Sequence, residues 1–227
     1  MGYNFFALMI LQLLTINHFK QYLFTINSKM MQKVFHKRNL PHFHHSDGIY
    51  FITYRLINSI SQKVINELKV EYRSPKKNET EKFRRMLQKY DKALDSGELG
   101  EKHLNNPKIL DVCKLTLHYP DGKDYRLICY TIMPNHIHLL FELLPKNKGI
   151  SKIMQSIKRI SALESNKILN REGSFWQDES YDRLVRDDIE LYFIIKYILQ
   201  NPVDAGLVKN WSDWKHTYCH PHYQVLN

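Results

Sequence analysis

The sequence predicts an α+β domain built on one antiparallel sheet, and three observations predict it. Stretches dense in β-branched and aromatic residues are separated by stretches of helical composition. A turn signature, YPDGKD at 119–124, leads into two consecutive strand patterns. The resulting order is strand, helix, strand, strand, helix, strand, helix. That order is of the ferredoxin-like type, an antiparallel sheet with helices on one side.

Each element has its own signal. Residues 49–56 (IYFITYRL) read as a buried strand. Residues 60–118 are mostly helical in composition, interrupted by RSPKKNET at 73–80 and by Gly97, Gly100 and Pro107. Residues 125–133 and 136–143 are strands, with Pro134-Asn135 making a bend or bulge between them. Within 149–170, apolar side chains recur at Ile150, Ile153, Met154, Ile157, Ile160 and Leu163, the spacing of an amphipathic helix. A short strand is expected at 183–186. Asp187 or Asp188 then caps a helix that runs through IELYFIIKYILQ and stops near Asn201-Pro202.

Composition narrows the function. Of 227 residues, 43% are hydrophobic and 25% charged, enough to bury a core and too apolar for a disordered or collagen-like chain. The formal charge of +10 favours a polyanionic partner, nucleic acid or an acidic membrane surface. Cys113, Cys129 and Cys219 are too few and too scattered for a disulfide framework or a CxxC metal site, which points to a reducing cytoplasm. The run FFALMILQLL at 5–14 is shorter than the about 20 residues of a membrane span, and no stable membrane partner is expected. It has no basic segment before it and no small-residue cleavage site after it. Residues 1–30 therefore read as an apolar extension upstream of a more natural start at Met30 or Met31. A basic, His-rich arm follows at 31–48, then a domain at 49–218 with a helical insertion at about 60–118, then a tail at 219–227.

Two patterns carry chemistry. His136 and His138 flank Ile137, and on a strand side chains at i and i+2 share a face, so two imidazoles on an open sheet face can share a divalent cation. Twelve histidines give about 0.6 such triplets by chance, and the chain holds three, the others at His42/His44 and His220/His222. Only the middle one lies in a strong strand pattern. On the last helix, Tyr197 and Asn201 are one turn apart on one face, which places a phenol beside an amide oxygen. Helix physics alone favours a packed aromatic at Tyr197 and a C-terminal cap at Asn201 before Pro202.

The block MPNHIHLL resembles the His-hydrophobic-His motif of single-strand DNA nucleases. With GSFWQDESYDRLVR, YILQNPVDAGLV and SDW after it, and KRNLPHFHHSDGIYFITYRL before it, the chain resembles the REP-associated tyrosine transposases. These belong to the single-tyrosine transposases of bacterial insertion sequences. The likeness covers roughly residues 33–218.

The resemblance implies a ferredoxin-like core with His136 and His138 as metal ligands, Tyr197 as nucleophile and Asn201 as a third, amide ligand. The implied cofactor is Mg²⁺ or Mn²⁺. The implied substrate is single-stranded or hairpin DNA, cut and rejoined through a 5′-phosphotyrosine, by a monomer or homodimer. Lys37 and Arg38 in the arm are candidates for reading bases. Lys152, Lys158, Arg159, Lys167 and Arg171, on and just after the basic helix, are candidates for holding phosphates. The alternative is a hairpin-binding protein derived from a transposase that does not cut.

Overall fold

A computed structural model describes residues 33–37, 41–45, 47–73, 79–96 and 99–226. Strands β1 (Lys33–Lys37) and β2 (Pro41–His45) pair antiparallel as a separate two-stranded sheet. The arm therefore holds a strand pair that composition did not suggest, and His42 and His44 fall within it. The expectations for residues 1–30 and for Arg38 lie outside the described residues, as does the side chain of Lys37.

The main sheet contains β3 (Ile49–Arg55), β4 (Tyr125–Ile132), β5 (His136–Leu143), β6 (Tyr181–Leu184) and β7 (Thr217–Cys219). Their order across the sheet is β6-β3-β5-β4-β7, with every neighbouring pair antiparallel. β5 is thus central. The turn at 119–124 and the Pro134-Asn135 bend are where the sequence put them, with Gly122 at φ 72 and Met133 N–H bonding His136 O across the bend.

The α+β class and antiparallel sheet are as predicted, but helices cover both faces. On one face α3 (Pro107–His118) and α4 (Ile150–Ile168) pack Ile109, Leu110, Ile153 and Ile157 against Ile137, Leu139 and Phe141. On the other, α1 (Gln62–Arg73), α2 (Glu79–Asp95) and α5 (Asp188–Asp204) cover Phe51, Ile128 and Leu140 with Leu68, Phe83, Leu87, Leu191, Ile194 and Ile198. The second layer is fed largely by the helical insertion, whose apolar stripe needs a surface to bury. Trp176 anchors the first core: it is buried edge-on against Tyr54, and its indole N–H donates to Ser161 Oγ at 2.9 Å. Trp214 packs at the other end, donating its indole N–H to Ile132 O at 3.1 Å.

The start of α5 is fixed twice. Asp187 caps it by accepting from Glu190 N–H at 2.8 Å. Glu190, 2% exposed, takes charged hydrogen bonds from Arg183 on β6 and from Arg186. The end of the helix departs from expectation. It runs through Pro202 to Asp204 and closes at Gly206, whose φ of 70 suits glycine. Proline removes only its own N–H, and the Ala205 N–H to Asn201 O and Leu207 N–H to Pro202 O bonds carry the chain past it. Asn201 is consequently an interior residue of α5. Among the described residues, no helix is long and apolar enough to cross a membrane.

Glu190→Ala strands two guanidinium groups beside a cavity and should destabilise the fold by about 3–5 kcal/mol, read by urea unfolding. Glu190→Asp should recover part of the loss.

Candidate active site

The site forms where β5 meets α2 and α5. His136 and His138 point to the face opposite Ile137 and Leu139, as alternation along a strand requires. They do not lie on an open face: both imidazoles are 0% exposed, covered by helices that the sequence reading had left on one side of the sheet. The His138 ring stacks on Phe51 with centroids 5.8 Å apart and meets the Tyr197 ring at 5.3 Å.

Both rings are oriented by partners on their Nδ1 atoms. Asn135 donates its Nδ2–H to Leu94 O at 2.8 Å, so its carbonyl oxygen is the atom 2.7 Å from His136 Nδ1. His136 Nδ1 must then carry the proton, leaving Nε2 with a bare lone pair. Thr53, directly opposite His138 in the β3–β5 register, holds His138 Nδ1 with its hydroxyl at 2.7 Å. The two Nε2 atoms face each other at 3.1 Å. Two facing lone pairs repel unless a proton or a cation lies between them.

The third member came from a segment to which the sequence reading assigned no chemistry. Asp91 of α2 is buried, with Oδ1 3.5 Å from His138 Nε2 and Oδ2 accepting from Asn201 Nδ2–H at 2.9 Å. The Tyr197 hydroxyl donates to the same Oδ2. One ligand atom from each of Asp91, His136 and His138 lies within 4.8 Å of the others. The signal was present in the sequence: Asp91 lies four residues after Leu87 and three before Leu94, on the stripe that α2 buries.

The electrostatics suit a cation. Burial lowers His136 to about 3, and burial together with His136 lowers His138, so both rings are neutral and available as ligands at pH 7. Burial pushes Asp91 well above the usual carboxylate range, and Asp95 pushes it further, while the Asn201 hydrogen bond opposes the rise. Asp95 is raised to about 6 by burial and by Asp204. Asp91 Oδ1 and Asn201 Oδ1 are buried with no hydrogen-bond partner. Two neutral imidazole nitrogens, a carboxyl group and an orphaned amide oxygen form a donor set that fits a divalent metal ion.

The basic helix lies elsewhere. α4 packs on the sheet face opposite the imidazoles. Lys152 and Arg159 are exposed on it. The Lys158 ammonium donates to Gln177 O, Asp178 O and Ser180 Oγ at 2.6, 2.9 and 3.4 Å, tying α4 to the loop before β6. Lys167 pairs with Glu164, and Arg171 bonds His103 Nε2 and Ser174 O. Glu142 is buried and pairs with Arg126 at 2.9 Å.

Comparisons with known proteins find transposases. Residues 100–201 match the family described as Transposase IS200 like. A Haemophilus influenzae protein named as a REP-associated tyrosine transposase is 32% identical over 113 residues, 45% of this chain and 61% of the relative. The matched region therefore spans less than two thirds of that relative's length. Two solved structures show a more distant likeness. A REP-associated tyrosine transposase bound to a REP hairpin is 16% identical, with a TM-score of 0.49 over 80% of this chain and 82% of that one. A transposase structure from Deinococcus radiodurans R1 is 14% identical, with a TM-score of 0.36 over 73% and 96%. The resemblance carried by the histidine and tyrosine blocks is thus borne out: the stretch that holds His136, His138, Tyr197 and Asn201 matches the IS200-like transposases, with sequence similarity to a REP-associated tyrosine transposase.

Proposed function

We propose that this protein is a metal-dependent tyrosine transposase that cleaves and rejoins single-stranded or hairpin DNA of the REP type. The observation that carries the reading is the convergence of Tyr197, Asn201, His136 and His138 on one buried carboxylate, Asp91. The family match and the net charge of +10 support DNA as the partner.

Tyr197 is the nucleophile. Its oxygen bonds to phosphorus as the bond to the 3′-oxygen breaks, which leaves a 5′-phosphotyrosine and, with the phenol proton passed on overall, a free 3′-hydroxyl. The ester bond is conserved, so a second 3′-hydroxyl can reverse the step and join strands without ATP. His136, His138 and Asp91 would hold Mg²⁺ or Mn²⁺, with the Asn201 amide oxygen beside them. When bound, such an ion supplies positive charge to the scissile phosphate. Asn135 and Thr53 keep the two imidazoles turned toward the shared position. Phe51 and Phe193 flank the Tyr197 ring and limit its swing.

For DNA contact, Lys152, Arg159 and Lys167 are the exposed cations of α4, and Arg171 follows its C-terminal end. Their face is across the sheet from Tyr197, so a strand touching both must wrap an edge of the domain. Lys158 contributes by fixing the loop before β6. Lys37 and Arg38 remain candidates for base contact from the arm. A non-cutting hairpin binder is the second reading, favoured by the complete burial of the imidazoles.

With a hairpin oligonucleotide and Mn²⁺, the full chain should form a covalent adduct that survives denaturation. Tyr197→Phe should reduce its formation by about a thousandfold or more. Cleavage without an adduct, surviving Tyr197→Phe, would mean hydrolysis by water. Binding that ignores a chelator and yields no cut strand would mean the second reading.

Thr53→Val keeps the strand but removes the partner of His138 Nδ1. It should weaken Mn²⁺ binding about 10–100-fold by calorimetry with the melting temperature little changed.

A further inference from the structure

We propose that Asp91 is a positioning residue for the nucleophile: its carboxylate fixes the Tyr197 phenol and the Asn201 amide against the imidazole pair. Helix α2 is then a working part of the site. The inference rests on Tyr197 being the nucleophile. Asp91 itself lies outside residues 100–201, the stretch that matches the family.

The geometry makes the case. Tyr197 and Asn201 are one turn apart on α5, and both direct their polar hydrogens at Asp91 Oδ2. The other oxygen, Oδ1, faces His138 Nε2 at 3.5 Å and accepts no hydrogen bond. A single carboxylate therefore ties the polar groups of α5 to the imidazole pair of β5. The Tyr197 ring lies edge-on to Phe51 and to His138 and stacks on Phe193, with centroids 5.9, 5.3 and 6.1 Å away. Those contacts set the plane of the ring. Among the described residues, the hydrogen bond that holds its oxygen is the one to Asp91.

Asp91 is itself held by the strand that carries the histidines. Phe83, Met86, Leu87 and Leu94 bury one side of α2. Asn135 donates to Leu94 O, one turn beyond Asp91, and accepts from His136 Nδ1 with its other amide atom. One asparagine thus orients an imidazole and pins the helix that pins the phenol. A carboxylate buried only for stability would be matched by cations, as Glu190 is by Arg183 and Arg186. The partners of Asp91 are a phenol, an amide and an imidazole, which is the inventory of the site.

The test compares Asp91→Ala and the isosteric Asp91→Asn in the full chain, with three readouts. These are the single-turnover rate of adduct formation on a hairpin oligonucleotide, the affinity for that hairpin, and nitration of Tyr197 by tetranitromethane without DNA or metal. In Asp91→Ala the adduct rate should fall about 100-fold while hairpin affinity stays within about threefold, because the lost contact orients the nucleophile and does not hold DNA. Nitration of Tyr197 should rise about tenfold as the phenol is released, and Asp91→Asn, which keeps an acceptor oxygen, should restore it toward the native rate. Unchanged nitration in Asp91→Ala overturns the proposal, as does a loss of hairpin affinity in step with rate. If the native chain forms no adduct through Tyr197, the reading of the nucleophile fails, and nitration still decides whether Asp91 positions the phenol.

Discussion

Side-chain alternation along β5 is the constraint on which everything else depends. The strand is central, paired with β3 and β4, and its register fixes every side chain by twos. Ile137, Leu139 and Phe141 are committed to one core, so His136 and His138 have only the opposite face. A shift of one residue would exchange the two sets, placing imidazoles in the α3–α4 core and branched alkyl groups in the site. The apolar packing of α3 and α4 against β5 thus aims the imidazoles without touching them.

Much of this was legible in the sequence because it is local. Strand β5, the paired histidines and the one-turn spacing of Tyr197 and Asn201 follow from periods of 2.0 and 3.6. What escaped is what depends on contacts between distant segments. Asp91 stands more than a hundred residues before Tyr197 and Asn201, and no periodicity links it to either of them. The burial of the imidazoles was missed for the same reason, since it is α2 and α5 that close over them. Pro202 was read as a stop, yet the helix runs on to Asp204, because a proline near the last turn forfeits one hydrogen bond while the N–H groups after it still bond back into the helix. Lys158 looked like its basic neighbours, and only the fold of the 177–180 loop shows its ammonium surrounded by oxygens.

The charge distribution separates two tasks. The imidazole site is rich in acceptor atoms, which offer little to a bare polyanion. The exposed cations of α4 lie across the sheet. A nucleic acid would be gathered by one face, and its phosphodiester tolerated at the other only once acceptor charge there is offset. On the proposed reading, binding and chemistry would differ in their dependence on ions: added monovalent salt would screen the first, while divalent cation would enable the second.

The complete enclosure of the two imidazoles has a kinetic corollary. A ligand atom with no solvent contact cannot capture an ion at the diffusion limit, so on the proposed reading loading would wait for a transient parting of the covering helices from the sheet. Entry and escape would share that opening frequency, and an ion once seated would exchange slowly, whatever its equilibrium affinity. The residence time of the ion would then report the breathing of the covering helices and not the strength of its coordination bonds.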